Sequence, residues 1–454
     1  MFKILRNAWA IPDLRKKMLY TLLMILVFRI GAALPVPFLD IQALKESIDS
    51  LTSSDPGTLV SYLNILSGGA FENATLFAMS VTPYINASII LQLLTVAIPA
   101  LEKLSKEGEE GRKKIGKYTR YATVILGLIQ GTVFYIYLNN TGVVMDTGAS
   151  KLLKIYIAIV IILTFTAGSA AIMWMGEQIN AKGVGNGISI ILFAGIISRA
   201  PEAIARLYQM FVMGLNSEAY KAAGYGSTVK YLFFVPGIIL LFLLAVGFIV
   251  FMNSAERRIP VQYAKRVVGR KMYGGQSTHI PIKVNMSGVL PIIFASSIIS
   301  IPGTLKLFIY GNNPTEAQTE SVAYKILNVF GTQGVGYCIV YFVLIILFAY
   351  FYVTIQYNPI EMANNLRKNA GTIPGIRPGA KTSEYIQKII SRITLIGALF
   401  LSVIAILPII LSVALGVNLG MSGTSIIILV GVALETVQAI ESQMLMRHYK
   451  GFLE

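Results

Sequence analysis

The sequence predicts an all-α polytopic membrane protein with ten transmembrane helices in two pseudo-symmetric inverted halves. Hydrophobic residues make up 55% of the 454 residues and charged residues only 13%, a balance typical of membrane proteins. Ten apolar runs reach the length of about 20 residues that a helix needs to cross the hydrocarbon core. Five spans in each half would leave the second half inverted relative to the first, so an inverted repeat is our hypothesis for the architecture.

The ten predicted spans follow one another along the whole chain. The fifth is interrupted by Arg199, Pro201 and Glu202, and the seventh is rich in small polar residues. Spans two and seven each combine a proline with such residues, which weakly supports the repeat. In chain order the spans are 18–38, 75–98, 117–138, 153–175, 186–209, 232–253, 286–309, 337–357, 387–411 and 421–442.

The positive charges indicate the orientation. If the N-terminus is cytoplasmic, 28 of the 38 Lys and Arg residues lie on the cytoplasmic side, as the positive-inside rule requires. Both termini are then cytoplasmic. The basic N-terminus lacks a small-residue cleavage site after its first apolar run, so we do not interpret it as a removable signal peptide.

The stretch from Ser61 to Leu94 is the most unusual apolar region. Its first part carries Gly68, Gly69, Glu72 and Asn73, and charges and glycines are unfavourable in a helix exposed to lipid. Pro83 opens the second part and disfavours helix at the residue before it. Irregular backbone at membrane depth is tolerated where it lines a cavity. An external loop followed by a kinked helix is the alternative.

Two long cytoplasmic loops interrupt the second half. Residues 254–285 alternate β-branched, aromatic and basic residues around Gly274–Gly275, which predicts a β-hairpin. In loop 358–386, NPIEMANNLRK predicts a short helix, and TIPGIRPG predicts a rigid turn that presents Arg377. Loops as long as 254–285 are usually functional or disordered, and for this loop we favour docking of a polyanionic partner over a basic charge that serves orientation alone. The alternative for the second loop is a tight Pro/Gly turn in which Arg377 is incidental.

Motifs of enzymes and ion-coupled transporters are missing. GRKKIGKY at Gly111–Tyr118 departs from a phosphate-binding loop because Tyr118 replaces the hydroxyl residue that binds magnesium. The two histidines have no metal-ligand spacing, and the single cysteine, Cys338, excludes a disulfide framework. No mid-membrane carboxylate is evident. These residues leave a channel and a secondary small-molecule transporter as open alternatives and favour neither an enzyme nor a bound cofactor.

Six long motifs in this chain match one protein family: TPYINASIILQLL, GEQINAKGVGNGISIILFAGI, IPVQYAKR, QSTHIPIKVNMSGVLPIIFASS, NPIEMANNLRK and IPGIRPG. They resemble the SecY family, whose members are channel subunits of the bacterial protein translocase. The resemblance runs from about residue 3 to residue 447, with the segments in the family's order. It implies ten spans in two halves around a central pore, with 1–215 as the first half, 216–454 as the second and a plug at about 61–73.

The resemblance also implies roles for individual residues. The implied pore ring, which is apolar but not uniformly isoleucine, consists of Val81, Ile85, Leu192, Ile196, Ile293 and Ile428. The implied plug includes Leu63, Asn64, Ser67, Gly68, Gly69 and Phe71. The polar positions of the implied lateral gate between spans two and seven are Asn86, Ser88, Gln92, Asn285, Ser296 and Ser297. Partner-binding residues on the basic loops would be Arg257, Arg258, Lys265, Arg266 and Arg377.

The implied function is passage of unfolded secretory proteins across the bacterial cytoplasmic membrane, with sideways release of signal or transmembrane helices into lipid. An apolar ring suits this function because it excludes ions yet is indifferent to the sequence that passes. The expected partners are the small membrane subunits SecE and SecG, the SecA motor ATPase, the ribosome, signal peptides, unfolded polypeptides and membrane lipids. The channel itself is expected to be no enzyme, because a partner ATPase or the ribosome supplies the energy.

Overall fold

In the computed structural model the described residues form mainly helices, together with one three-stranded and one two-stranded sheet. The structure describes residues 2–46, 67, 69–145, 151–222, 229–263, 266–268, 271–273, 277–310, 321–329, 334–415 and 423–450. Within these ranges the first half of the chain forms α1 (Phe2–Ala10), α2 (Pro12–Gly31), α3 (Thr82–Ala97), α4 (Pro99–Lys106), α5 (Glu109–Asn140), α6 (Lys151–Lys182), α7 (Gly187–Ser198), α8 (Ala200–Leu215) and α9 (Ser217–Ala222).

The second half combines longer helices with the strands. Its described elements are α10 (Lys230–Ser254), β1 (Glu256–Tyr263), β2 (Arg266–Val268), β3 (Lys271–Tyr273), β4 (Ser277–Lys283), α11 (Leu290–Tyr310), α12 (Val322–Val329), α13 (Val335–Gln356), α14 (Pro359–Lys368), β5 (Gly371–Thr372), α15 (Ala380–Leu415) and α16 (Gly423–Lys450).

The helices agree with a multi-pass membrane protein. Among the described residues, seven helical stretches are long and apolar enough to span a membrane, and the pair α3–α4, bent by 102°, makes an eighth if taken as one span. The remaining two predicted spans, the first and the seventh, overlap α2 and α11, respectively. The seven stretches are Glu109–Asn140, Lys151–Lys182, Gly187–Leu215, Tyr231–Ser254, Val335–Lys368, Ala380–Ile410 and Thr424–Leu445.

The boundaries of the first two predicted spans were wrong. Helix α2, which corresponds to the first predicted span, ends at Gly31, seven residues before the predicted end. It ends there because the following prolines favour extended chain. That chain pairs with the strand-like residues before α3: Val36 N donates to Ala74 O at 2.9 Å, and Leu76 N donates to Leu34 O at 2.9 Å. The second span begins at Thr82 rather than residue 75. Thr82 is helical despite preceding a proline, because Pro83 lies in the first turn, where no intrahelical donor is lost.

The fifth predicted span is divided into α7 and α8 at Arg199. Asn186 caps the start of α7, since its side-chain oxygen accepts hydrogen bonds from the backbone N–H groups of Ile188 and Ser189. Arg199 closes α7 and opens α8, whose first turn contains Pro201. The interruption that the sequence marks by charge and proline therefore becomes a junction between two helices.

A three-stranded sheet joins the two long loops. Strands β1 and β4 pair antiparallel from Glu256 opposite Lys283 to Gln262 opposite Ser277, which confirms the predicted hairpin. Strand β5 from the second loop adds to the other edge of β1, with Gln262 opposite Thr372. The short helix is also confirmed as α14, capped by Asn358. Apolar residues from this sheet, α13, α14 and α15 form a separate core beneath it.

The main hydrophobic core gathers helices from both halves of the chain. Helix α11 packs against α3, α13 and α15, and helix α16 packs against α7, α10 and α15. A second core lies within the first half, around the rings of Phe134 and Phe165 on α5 and α6. The residues before α3 lie between these two cores and contribute side chains to both.

Candidate functional site

All six residues of the implied ring lie in the main hydrophobic core. Four separate helical elements bring them there: α3 with its N-cap residue, α7, α11 and α16. Val81 and Ile85 are one helical turn apart, as are Leu192 and Ile196, so each pair lies on one face of its helix. Every member is at most 6% exposed. The cluster consists of Val81, Ile85, Leu192, Ile196, Ile293 and Ile428 together with their packed neighbours.

This arrangement is an apolar junction between the two halves of the chain. Large aliphatic side chains offer no ligand to a hydrated ion, and a constriction of this kind resists wetting. Branched aliphatic chains can change rotamer without breaking hydrogen bonds. Such a junction can therefore separate without leaving unpaired polar groups behind.

The described part of the implied plug is a series of turns that precedes α3. Of the predicted plug residues, Ser67, Gly69 and Phe71 are described, whereas Leu63, Asn64 and Gly68 lie outside the described residues. Ser67 is fully buried, and its hydroxyl oxygen accepts a hydrogen bond from Phe71 N at 3.1 Å. The Asn73 amide donates to Gly69 O at 2.8 Å. These local bonds satisfy backbone groups that a helix would otherwise pair.

Two buried side chains anchor these turns to the two cores. Ala70 belongs to the main core with the ring residues, and Phe71 belongs to the second core. The ring centroids of Phe71 and Phe134 are 4.6 Å apart, within the range of favourable aromatic contact. Phe71 is only 4% exposed, so the polar, glycine-containing sequence around it does not prevent this stretch from packing against the helices.

Gly31 makes room for the next aromatic residue of the same turns. A Cβ atom built on Gly31 would overlap the ring of Phe77. The Phe77 ring stacks on Phe28 of α2 with a centroid distance of 5.8 Å. The turns between Gly69 and Val81, which we call the 69–81 segment, are therefore fitted to the first half of the chain by shape.

Helices α3 and α11 carry most of the implied gate positions and contact each other. On α3, Asn86, Ser88 and Gln92 are half-buried, and the Gln92 amide lies 3.4 Å from the Ser88 hydroxyl. On α11, Ser296 and Ser297 are buried, and the Ser296 hydroxyl donates to Ile293 O at 2.9 Å. These hydrogen bonds run within each helix.

Asn285 lies outside the helix to which the sequence attributed it. It precedes α11 by five residues, in the turn that follows β4. Its side-chain amide donates to the Asn253 carbonyl oxygen on α10 at 2.8 Å, which joins the turn before α11 to α10. Nearby, Lys283 Nζ donates to Gln438 of α16 at 2.8 Å. Asn253 was missed because a lone asparagine at the end of an apolar helix has no distinctive spacing.

The basic side chains of the two long loops lie on or near the sheet. Arg257 and Arg258 are exposed on β1, and Arg258 Nε is 2.7 Å from Glu256 Oε1. Arg377 is exposed in the turn after β5, where its carbonyl accepts a hydrogen bond from the Thr382 hydroxyl at 2.9 Å. The backbone of Arg266 lies in β2, and Lys265 is outside the described residues. Pairing of β1 with β5 thus connects the strand that carries Arg257 and Arg258 to the turn that carries Arg377, more than 100 residues away in sequence.

A charged cluster beside the 69–81 segment was not predicted. Arg199, at the α7–α8 junction, pairs with Glu72 at 3.5 Å and with Glu202 at 3.1 Å. Glu202 also pairs with Arg206 at 2.7 Å. The sequence marked Arg199 and Glu202 only as interruptions of an apolar span; such charges within spans are a general signal of function. Within the described part of the chain, no group of three or more His, Cys, Asp or Glu side chains could hold a metal ion.

Comparison with known proteins shows which family this chain is similar to. The SecY family model matches residues 75–437. Protein translocase subunit SecY of Thermotoga maritima is 40% identical, with 100% of this chain and 98% of the relative covered. The protein of the same name from Streptomyces coelicolor is 42% identical over the full length of both chains.

Solved structures share the fold at lower sequence identity. A structure described as that of a protein conducting channel superimposes with a TM-score of 0.60 at 17% identity, covering 95% of this chain and 92% of the other. Sec61 in the canine ribosome-channel complex of the endoplasmic reticulum gives a TM-score of 0.56 at 16% identity, with the same coverage. The likeness extends over nearly the whole chain rather than over one half.

Proposed function

The chain belongs to the SecY family, and from this premise we propose that it forms the channel through which unfolded secretory proteins cross the bacterial cytoplasmic membrane. Full-length relatives at about 40% identity are named as protein translocase subunits. They favour protein translocation over the small-molecule transporter that the composition left open. The protein is a multi-pass membrane protein, and in our proposal both of its termini are cytoplasmic.

The observation that carries the proposal is the apolar cluster contributed by four helical elements. Val81, Ile85, Leu192, Ile196, Ile293 and Ile428 come from both halves of the chain and are all buried. We interpret them as a closed ring. In the closed channel the ring excludes water and ions, because neither finds a ligand there. A passing polypeptide displaces the aliphatic side chains without a requirement for any particular sequence.

The 69–81 segment supports the closed state in this proposal. Ala70 reaches the same core as the ring residues, and Phe71 holds the segment in the first half of the chain. We interpret the segment, with the residues before it, as a plug on the external side of the ring. Its release would require withdrawal of Phe71 from its contact with the Phe134 ring, so opening needs an energy input from a signal sequence or a partner.

A lateral exit is proposed between α3 and α11. The two helices contact each other, and the hydrogen bonds found for their polar residues lie within each helix. In our proposal these two helices separate when the channel opens sideways. A sufficiently hydrophobic signal helix would then partition into lipid.

The energy for translocation would come from partners that dock on the long loops. Arg257, Arg258 and Arg377 are each exposed, and we propose them as basic docking residues, which suit an acidic protein surface or the phosphates of ribosomal RNA. We propose SecA and the ribosome as the partners that bind these residues and SecE and SecG as the small membrane subunits. A structure that shares this fold is described as a ribosome-channel complex.

Reconstitution tests the proposed function directly. The purified chain is inserted into vesicles with SecE and SecG, and SecA, ATP and an unfolded secretory precursor are added. The expected result is protease-protected precursor that depends on ATP and on the signal sequence. Protection without the chain, or equal protection of a precursor without a signal, would contradict the proposal.

A further inference from the structure

Arg199 forms ion pairs with two acidic residues, Glu72 on the 69–81 segment and Glu202 on helix α8. Its side chain is only 17% exposed and lies where α7 ends and α8 begins. Glu72, on the 69–81 segment, is 127 residues away in sequence, yet its carboxylate is 3.5 Å from the Arg199 guanidinium. Glu202 is on the first turn of α8, and its carboxylate is 3.1 Å from the same nitrogen, Arg199 Nη2.

The two carboxylates differ in what holds them. Glu202 is fixed to Arg199 by helix geometry at a spacing of three residues, and it is shared with Arg206. Glu72 is carried by turns outside the helices, so its position follows the 69–81 segment. When that segment leaves, Arg199 retains Glu202. The guanidinium is therefore not left without a counter-charge in a largely buried place, which would be costly.

We propose that Arg199, because it pairs with both Glu72 and Glu202, sets the stringency with which the channel selects signal sequences. This inference rests on the proposed function. The bond to Glu72 holds the 69–81 segment in the closed position. The bond to Glu202 lowers the energy needed to release that segment, because it weakens the hold on Glu72 and keeps Arg199 paired afterwards. A signal sequence must supply the remaining energy.

This arrangement makes the two carboxylates act in opposite directions. Loss of the Glu72 charge weakens the closed state, so the channel opens for poorer signals. Loss of the Glu202 charge leaves Glu72 as the acidic partner of Arg199 in this cluster, so the closed state becomes more stable. A purely structural cluster would respond in one direction to loss of either charge. The opposite signs therefore distinguish the proposal from simple stabilisation.

The test compares Glu72→Gln, Arg199→Gln and Glu202→Gln in the reconstituted translocase, with Glu218→Gln as the matched control. Glutamine keeps the shape of glutamate and removes its charge, and Glu218 is exposed on α9, away from the cluster. Two readouts are used: resting ion conductance of the vesicles, and import of a precursor with a weakened signal relative to one with an intact signal. Thermal midpoints of the purified complexes check that each variant is folded.

We expect Glu72→Gln and Arg199→Gln to raise both the conductance and the relative import of the weak-signal precursor by about fivefold, the upper range for a single partly exposed ion pair. Glu202→Gln is expected to lower both, and Glu218→Gln to match the wild type. Glu202→Gln changing in the same direction as Glu72→Gln, or neither differing from the wild type, would overturn the proposal. A wild-type complex that imports no intact-signal precursor would instead contradict the proposed function itself.

Discussion

Gly168 of α6 lies directly against the backbone carbonyl of Leu76. A Cβ atom built on Gly168 would overlap that carbonyl oxygen, so the helix approaches the 69–81 segment as closely as a polypeptide permits. A backbone carbonyl cannot rotate away as a flexible side chain can. The position of the segment in this structure therefore depends on the absence of a side chain at residue 168.

The first prediction is that Gly168→Ala displaces the 69–81 segment. Overpacking of this kind destabilises by about 1–3 kcal/mol, and here the strain falls on the contact between α6 and the segment. We expect a lower thermal midpoint and a raised resting ion conductance in vesicles. Gly116→Ala on α5 is the control, since a Cβ there meets nothing within 4 Å and alanine favours the helix. Equal effects from the two substitutions would refute the close approach.

The second prediction concerns the aromatic anchor of the segment. Phe71→Ala removes the ring that contacts Phe134 at 4.6 Å between centroids. Truncation of a buried phenylalanine costs about 3–5 kcal/mol, and most of this loss falls on the closed position. We expect increased ion conductance and import of precursors with poor signals. Phe71→Leu keeps most of the apolar volume and should be much milder. A Phe71→Ala channel that stays as tight as the wild type would remove Phe71 from the seal.

The third prediction tests the ring by polarity. Ile428→Asn places an amide in the apolar cluster, where it finds no hydrogen-bond partner without water, so we expect the constriction to wet and the conductance to rise. The control is Ile410→Asn, because Ile410 is 57% exposed on α15. The neighbouring Ile409 packs against the same core as the ring residues and is unsuitable as a control. Similar leak from Ile410→Asn would place the conducting path elsewhere.

The fourth prediction is that Arg377→Glu abolishes ATP-driven export. The turn is held at one end by the pairing of β5 with β1 and at the other by the Thr382 hydroxyl. It therefore loses little entropy when a partner docks. Truncation or reversal of a desolvated interfacial charge costs about 2–5 kcal/mol. This corresponds to a loss of more than tenfold in affinity for the motor. Expression and the thermal midpoint should be nearly normal, because Arg377 is exposed.

Lys381→Glu separates an anchor from general electrostatic attraction. Lys381 is exposed and pairs with Glu384 at 2.9 Å on α15, so its reversal changes the loop charge by the same amount without altering the turn. Export should be only mildly reduced. If both reversals reduce motor affinity equally, the loop acts by its summed charge alone.

The fifth prediction concerns orientation. With Cys338 replaced, a single cysteine introduced at position 275, between the strands of the long hairpin, should react with a membrane-impermeant thiol reagent only from the cytoplasm. The reason is the concentration of 28 of 38 basic residues on that side. Labelling in intact cells would reverse the orientation proposed for all spans.

The sequence alone determined the features that depend on local pattern. Apolar runs such as 232–253 predict spans because their hydrophobicity is a property of consecutive residues, and α10 coincides with that run. The β-hairpin at 254–285 and the short helix after Asn358 are determined in the same way, by alternation and by capping residues. The predicted helix ends were less accurate. Helix α2 ends at Gly31 and α3 begins at Thr82 because residues 34–36 pair with residues 74–76 in extended conformation.

The tertiary structure alone decided which distant residues meet. Nothing in the spacing of Glu72 and Arg199 indicates that they form an ion pair, and Asn285 gives no sign that its partner is Asn253 rather than a residue of α3. Phe71 is a further example. Its neighbours in sequence are largely polar or glycine, whereas in the structure its ring packs against Phe134. Side-chain contacts across 30 to more than 100 residues depend on how the helices pack around one another, and local sequence carries no direct record of that packing.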